Sequence, residues 1–519
     1  TRITASNDGH GLSSPNAQSI IQDSFGNIWI GNYRGGIDFI SHTQPLFNTI
    51  TYKTEKYGHN CNKQVWGLWA DNNRQIWLGG EGELGIYKEG KEIEIIPLNQ
   101  CRLNKQTHIS VIHQDKHGDL WLGTHKHGVA IYHPDTKRIT CIGDDKDGSL
   151  DILCFYEDTD GKIWIGTQSG LYSAYNRELT QEDKINRLLT NKGIRSILRD
   201  KNGKLWIGAK GLFLFDDKGQ LFQELTTEQS FPIRSVNYLM EDSRKRIWVG
   251  TNDGILVFRD ASHLEDYSHY GTKEGLQNTN VRAIQEDHDG TIWLSTNAGI
   301  SRLDEKTKTF YNYNHYDGVP MGDFMDGSTC ISTDGILYFG SQGGACYFTP
   351  GEVNSIRKPA PVTITQFSIY DKQTESKDTE HPLPLTDANI QLPYNQNTFK
   401  ISFNVLDYAI SSQVEFSYIL EGLENTWYNT QGEKQIIFRN IPPGHYTFKV
   451  KTRLRNQEWE KDEATLHIRI TPPFWLSWYA KLIYALLIIL IIYGVSRFYK
   501  RKLDLESSLE VERKQSLNK

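Results

Sequence analysis

Methionine is nearly absent from this chain, with 3 residues in 519, and no two cysteines stand as C-x-x-C. The six cysteines (Cys61, Cys101, Cys141, Cys154, Cys330 and Cys346) also lack a metal-like spacing with histidine, which argues against a zinc or dithiol centre. They read as ordinary buried thiols, although an export context would permit a pair. Charge of one sign is lacking too. A net charge of −6 is mild at this length and gives no support to nucleic-acid contact, which needs a basic face. Catalytic signatures are missing: there is no G-x-S-x-G and no H-E-x-x-H. Asp-rich turns such as DTDG from Asp158 lack the further ligands of a calcium loop and read as turn caps. His125 and His127 in THKHG could be half a metal site, but a solvated hairpin is the simpler reading. No catalytic residue, metal or cofactor is therefore expected in this stretch. No secretory leader opens the chain. It begins with TRITASNDGHGLSSPN, a loop feeding a repeat, which suggests that the native N-terminus lies upstream.

What is present in quantity is aromatic residues, at 12 %, and 44 glycines. Seven tryptophans stand in one repeated motif: Trp29, Trp77, Trp121, Trp164, Trp206, Trp248 and Trp293, spaced 42–48 residues apart. Around them runs D-x-x-G-x-[IL]-W-[ILV]-G, as in DSFGNIWIGN from Asp23 and DKNGKLWIGA from Asp200. An eighth, degenerate copy puts Tyr338 at the tryptophan position. Such a period, with short β-like runs and Gly-rich turns, marks propeller blades. Counting from each tryptophan, position −6 is always Asp, position −3 is mostly Gly and position −9 is always apolar. The pattern reads as a strand, a D-x-x-G hairpin, the W-I-G-T strand, and a further hairpin and strand. Asp bonds its own turn backbone and Gly supplies positive φ. A lone blade cannot bury both faces, so the blades must stack.

The repeat becomes diverse where each blade's first, innermost strand should open on the channel. Position −11 holds Gln18, Trp66, Ser110, Leu153, Arg195, Asn237 and Arg282, and position −13 includes Gln64, His108 and Asn280. Position −12 between them stays small or apolar. Gln18, Gln64, Trp66, His108, Arg195, Asn237, Asn280 and Arg282 are the candidate ligand residues. Arginine forks onto carboxylate or sulfate, amides bond hydroxyls, and tryptophan stacks on a sugar face. The expected partner is an oligosaccharide.

Past Pro359–Pro361 the repeat stops and apolar residues alternate at period two: Phe399, Ile401, Phe403, Val405; then Phe416, Tyr418, Leu420; then Tyr446, Phe448, Val450; then Leu466, Ile468, Ile470. That is an antiparallel β-sandwich. It runs through TPPFW directly into an apolar stretch from Trp475 to Ser496, long enough to span a bilayer. Trp475, Trp478 and Tyr479 belt one side, and Arg497, Lys500, Arg501 and Lys502 cluster on the other. The positive-inside rule puts the C-terminus in the cytoplasm. The charged tail beyond it lacks Pro and Gly and reads as helix. The expected fold class is thus all-β, a propeller followed by an immunoglobulin-like sandwich, then one transmembrane helix. The divisions are 1–355 for the propeller, 360–471 for the sandwich, 475–496 for the membrane helix and 497–519 for the start of a cytoplasmic helix.

These features resemble a known family. The repeats are similar to the two-component regulator propeller motif. YILEGLENTW from Tyr418 and IIFRNIPPGHYTFKVKTR from Ile436, with NQEW after it, resemble the Y_Y_Y domain, and PFWLSWYAKLIYALL resembles its exit into the membrane. The middle tyrosine of that domain is Phe438 here. The resemblance implies the periplasmic sensor of a hybrid two-component histidine kinase that regulates polysaccharide use. It further implies residues 1–474 in the periplasm, a single pass through the inner membrane, and a homodimer joined through sandwich and helix. That family carries about fourteen motifs in two seven-bladed propellers, so the eight here look like the second propeller with the first mostly absent, the first motif lying wholly or partly outside a seven-bladed β-propeller ring or lending it closing strands. A kinase region would start past Lys519. The alternative is a membrane-anchored propeller enzyme such as a lyase. The membrane helix continuing into a charged helix favours the sensor.

Overall fold

The computed structural model describes residues 12–517, apart from 43–44, 52, 57–58, 63, 90, 92, 99–102, 104–106, 143–149, 176, 183–184, 186–188, 190–191, 217, 228–230, 354–360, 370–378, 382–388, 409, 412, 431 and 455–457. The boundary expected near Pro359 falls largely outside the described residues. The chain forms two compact units, residues 43–355 and residues 1–42 with 356–519.

The first unit is a closed propeller of seven four-stranded antiparallel blades. Their innermost strands are Gly67–Ala70, Ile109–Gln114, Ile152–Glu157, Ser196–Arg199, Val236–Glu241, Val281–Glu286 and Phe324–Ile331, in blades 1 to 7. Each inner strand packs on the next, and the seventh returns to the first. Blade 7 takes three strands from the degenerate eighth motif and its fourth, Asn48–Ile50, from the start of the unit. The two ends of the ring are thereby held in one ladder. Phe47, fully buried just before that strand, packs against Phe348 at 4.6 Å and Tyr313 at 5.0 Å.

The repeat motif explains the blades atom by atom. In blade 4, Asp200 Oδ1 accepts the backbone N–H groups of Asn202 and Lys204, both at 2.9 Å, which shapes the hairpin. Its other oxygen accepts the Trp206 indole N–H at 2.7 Å. The same Asp–Trp bond recurs in all seven copies. Position −3 needs positive φ; where glycine is missing, Arg74 and Lys245 adopt it at 59° and 67°. The glycine two residues after the tryptophan has a different cause. A Cβ on Gly208 would lie 2.5 Å from Val236 Cγ1, and one on Gly79 2.8 Å from Ile109 Cγ2. The apolar position −12 of the next blade fills that space, so the two sequence features are two sides of one contact.

The second unit holds a β-sandwich of a four-stranded and a five-stranded sheet. Their inner faces share a core including Phe399, Phe403, Phe416, Phe448 and Leu466, all nearly inaccessible. Phe438 packs against Phe399, Tyr418 and Phe448, so the ring without its hydroxyl serves as core. The Tyr446 hydroxyl donates to the carbonyl of Pro442 at 2.8 Å, pinning the Pro-Pro-Gly turn to its strand.

The first motif belongs to this second unit, so the expected propeller span of 1–355 is corrected to 43–355. Its strands Ala17–Gln22, Ile28–Asn32 and Gly36–Ile40 make a three-stranded sheet outside the ring. Asn27, fully buried, donates to Asp407 Oδ1 at 3.3 Å, and Trp29 meets the edge of Tyr408 at 5.1 Å. The ring already closes with seven blades and has no place for an eighth. The unit ends in one continuous helix, Trp478–Leu517, of 40 residues, long and apolar enough to cross a membrane. At 1.5 Å per residue it extends about 60 Å, twice the thickness of a hydrocarbon core.

Candidate ligand site in the propeller channel

The inner strands surround a cavity of about 470 Å³ to which all seven blades contribute. The backbone explains why position −11 varies. In blades 2, 3, 5 and 6 the ladder between first and second strands slips at Ile109/Val111, Ile152/Cys154, Val236/Tyr238 and Val281/Ala283. The residue left over is position −11 each time: Ser110, Leu153, Asn237 and Arg282. A bulge leaves its extra residue unpaired and re-aims the side chain. These side chains are thus released from the strand pairing of their own blade, and what each then meets differs from blade to blade.

Of the eight residues expected at the mouth, Trp66 and Arg195 line the cavity. Arg195 is half-buried and donates from Nη1 to Asn237 Oδ1 at 2.9 Å and Ser235 Oγ at 3.2 Å. Both partners are neutral, and among the described residues it makes no ion pair. Trp66 has a buried indole N–H with no hydrogen-bond partner among the described residues, and its ring meets the edge of His108 at 6.0 Å. His108 Nε2 lies 3.9 Å from Glu81 Oε1. Gln64 is exposed just before the inner strand of blade 1. Arg282 is already matched: Nη1 donates to Asp326 Oδ1 and Nε to Asn297 Oδ1, both at 2.7 Å.

Two expectations are corrected. Gln18 lies on the first strand of the separate three-stranded sheet and is not part of the ring. Its motif matches the repeat, but the ring is complete without it. Asn237 is fully buried and works as a bolt between blades. Its amide nitrogen shares two hydrogens among Val281 O at 2.8 Å, Asn252 Oδ1 at 2.7 Å and Asn280 Oδ1 at 3.1 Å, while its oxygen accepts from Arg195. A ligand would have to break bonds that hold blades 5 and 6 together. Ser110 plays a similar part, donating to Ile152 O of the next blade at 2.5 Å.

The cavity also reaches residues the sequence reading passed over. Position −8, three residues further along each inner strand, contributes Trp69, His113, Tyr156, Leu198, Met240 and Gln285. Trp69 meets His113 edge-on at 5.1 Å and donates its N–H to Gln114 Oε1 at 3.4 Å. His113 Nε2 pairs with Glu157 Oε2 at 3.1 Å. Burial drives the His113 pKa down, against the pull of Glu157, so the ring is neutral at pH 7. Tyr238, partly buried in the lining of the same cavity, has its hydroxyl pushed up to about 12 by desolvation. The signal was available, since Trp69, His113 and Tyr156 are as irregular within the repeat as position −11. In the THKHG hairpin, Asp151 Oδ1 lies 3.0 Å from His125 Nδ1, a partner acid that the sequence did not place.

The thiol reading needs one correction. Cys154, Cys330 and Cys346 are free and buried, but Cys141 is disulfide-bonded. Burial raises the Cys154 pKa to about 12, so that thiol is inert at neutral pH.

Along the chain stand a ring with a lined channel, a sandwich and a long apolar helix. The two component regulator propeller family matches residues 11–34, 148–169, 188–211, 230–253 and 275–298, and the Y_Y_Y domain matches 407–471. The crystal structure of the extracellular domain of a hybrid two component system from B. thetaiotaomicron is similar over 91 % of this chain, with 36 % identity and a TM-score of 0.81. The chain covers 64 % of that structure's chain. A curated relative, Histidine kinase P4 of Formosa agariphila, is 27 % identical over 242 residues, 46 % of this chain and 18 % of its own length. The chain therefore spans less than two thirds of either relative. It carries two component regulator propeller repeats and a Y_Y_Y domain.

Proposed function

We propose that this chain is the ligand-sensing and signal-transmitting part of a membrane sensor histidine kinase that responds to an oligosaccharide and regulates polysaccharide use. The observation that carries the ligand reading is the channel cavity, which combines the indole of Trp66 with the guanidinium of Arg195, whose partners are neutral. Arginine and aromatic faces together suit an acidic sugar. Residues 1–474 would be periplasmic, with one pass through the inner membrane and the basic cluster at Arg497–Lys502 in the cytoplasm. The disulfide at Cys141 supports an oxidising compartment. Transmission would run from the sandwich into the helix, which continues unbroken for 40 residues beginning at Trp478. A homodimer through sandwich and helix would let a shift in one reach the other side. Kinase chemistry belongs to the longer protein implied by the relatives. The unbroken helix favours this reading over an anchored lyase, which needs only an anchor.

The test is isothermal titration calorimetry of the full chain in lipid nanodiscs against a glycan panel. Arg195→Ala should weaken an acidic glycan by about 1.5–3 kcal/mol, the worth of a charged hydrogen bond, and should also lower the melting temperature somewhat, because it strands the buried Asn237 Oδ1. An unaltered affinity would place the ligand elsewhere.

A further inference from the structure

The channel's two ends differ in charge. Joined to the glycan-sensing reading, on which the inference rests, that difference specifies more about the ligand than the mouth alone. At the position −11 end stands Arg195, with neutral partners only. At the position −8 end the charges are taken up. Arg199 donates from Nε to Asp158 Oδ2 and from Nη1 to the carbonyl of Gly203, both at 2.8 Å. Glu157 is held by His113 at 3.1 Å. Glu241 accepts the backbone N–H of Lys201 at 3.4 Å. Among the described residues lining that end, no cation is left to receive an anion, and Glu241 would repel one.

The apolar surface at that end has a pattern. Trp69, His113 and Tyr156 come from three successive blades and form an aromatic arc, while Leu198 and Met240 from the next two supply an aliphatic one. Three residues at 3.2–3.4 Å each separate positions −11 and −8, about 10 Å along the strand. A pyranose offers C–H groups on its faces and hydroxyls on its rim. It can stack on Trp69 while its hydroxyls reach Glu241, Gln285 and the free nitrogen of His113. Burial keeps His113 neutral, so that nitrogen is an acceptor.

We propose that the position −8 end is a stacking subsite for an uncharged pyranose, and that the ligand is an oligosaccharide joining an uncharged ring to an acidic one. The uncharged ring lies against Trp69 and the acidic ring is directed toward Arg195. Carboxylate and sulfate share the chemistry that Arg195 would receive.

Calorimetry on the full chain in nanodiscs tests this with three probes. They are a hexuronate–N-acetylhexosamine disaccharide, its sulfated form, and its carboxyl-reduced, uncharged form. Trp69→Leu keeps an apolar side chain while removing the aromatic face; it should weaken all three probes by a similar factor, up to about tenfold. Arg195→Gln should weaken only the two acidic probes; equal weakening identifies the carboxylate as the anion at Arg195, and a larger effect on the sulfated probe identifies the sulfate. Should Trp69→Leu fail to fold, Gln285→Ala at the same end should also weaken all three. Binding that survives both Trp69→Leu and Gln285→Ala unchanged overturns the subsite, and an Arg195→Gln effect persisting there leaves glycan sensing intact. A wild-type chain that binds none of the probes, nor any glycan of the panel, overturns both readings together.

Discussion

Two stretches of this chain carry the same motif and meet different fates. In blades 4 to 6 the tryptophans at 206, 248 and 293 are at most 1 % exposed, closed in by the neighbouring blade. In the stretch from Ala17 to Ile40 the hairpin, the Asp23–Trp29 bond at 3.0 Å and the positive φ at Gly26 are all made. Yet Ile20, Ile21 and Ile37 are 67–70 % exposed there. The motif is therefore sufficient for a hairpin and insufficient for a blade core, which is built by the next blade. Trp29 is instead covered by Tyr408 and Phe39, residues of its own unit.

Substitution at equivalent positions would sharpen that contrast. Trp206→Ala should cost the ring about 3–5 kcal/mol, the usual range for emptying a fully packed aromatic site. Trp29→Ala should cost no more than about half that, since its site is already partly open. Calorimetric melting of the two variants decides it; equal shifts would mean that the lone motif is packed as tightly as a blade. Phe47→Ala should fall between these two at about 3–4 kcal/mol, because this ring lies in no repeat yet anchors the strand that closes the propeller. A urea melt with a near-native midpoint would show that closure does not depend on it. Next comes Asp242→Ala, which strands the buried Trp248 N–H and two turn amides and should cost about 2–3 kcal/mol. Asp23→Ala in the exposed copy should cost clearly less, checked in the same melts.

The smallest effect expected is a pH dependence. His113 has a folded pKa below its unfolded one, so the folded state binds fewer protons. Its contribution is fully present above the ordinary histidine range and is lost as pH falls through about 6.5 toward the lower folded value. The melting temperature should therefore drop between pH 7.5 and 5.5, and His113→Gln should flatten that slope. Carboxylates such as Asp158, held low by bonds from Trp164 and Arg199 against the opposing effect of burial, act only in a more acidic window.

Much of the fold was legible because the repeat states local rules many times over. Asp at −6 and Gly at −3 specify a turn wherever they occur, and the alternation around Phe399–Val405 specifies a half-buried strand. The candidate site was legible in part. Trp66 and Arg195 stood out because they break the repeat, and both line the channel. Asn237 broke the repeat equally and proved to be a bolt between blades, since sequence does not distinguish a polar group aimed at a ligand from one aimed at a backbone carbonyl. Trp69 and His113 were passed over because position −8 sits inside a strand, where side chains are assigned to packing by default.

The sequence by itself determined the period, the turns, the two β architectures and an apolar helix of membrane-spanning length, since each rests on contacts between residues close along the chain or on composition. Tertiary structure alone decided which motif stays out of the ring, that Asn48–Ile50 closes it, that Arg282 is neutralised by Asp326 while Arg195 keeps neutral partners, and that Cys141 is disulfide-bonded. Those outcomes depend on which distant residues meet once seven blades have closed. A closed ring brings the channel side chains of all its blades together, and no spacing along the chain records that meeting.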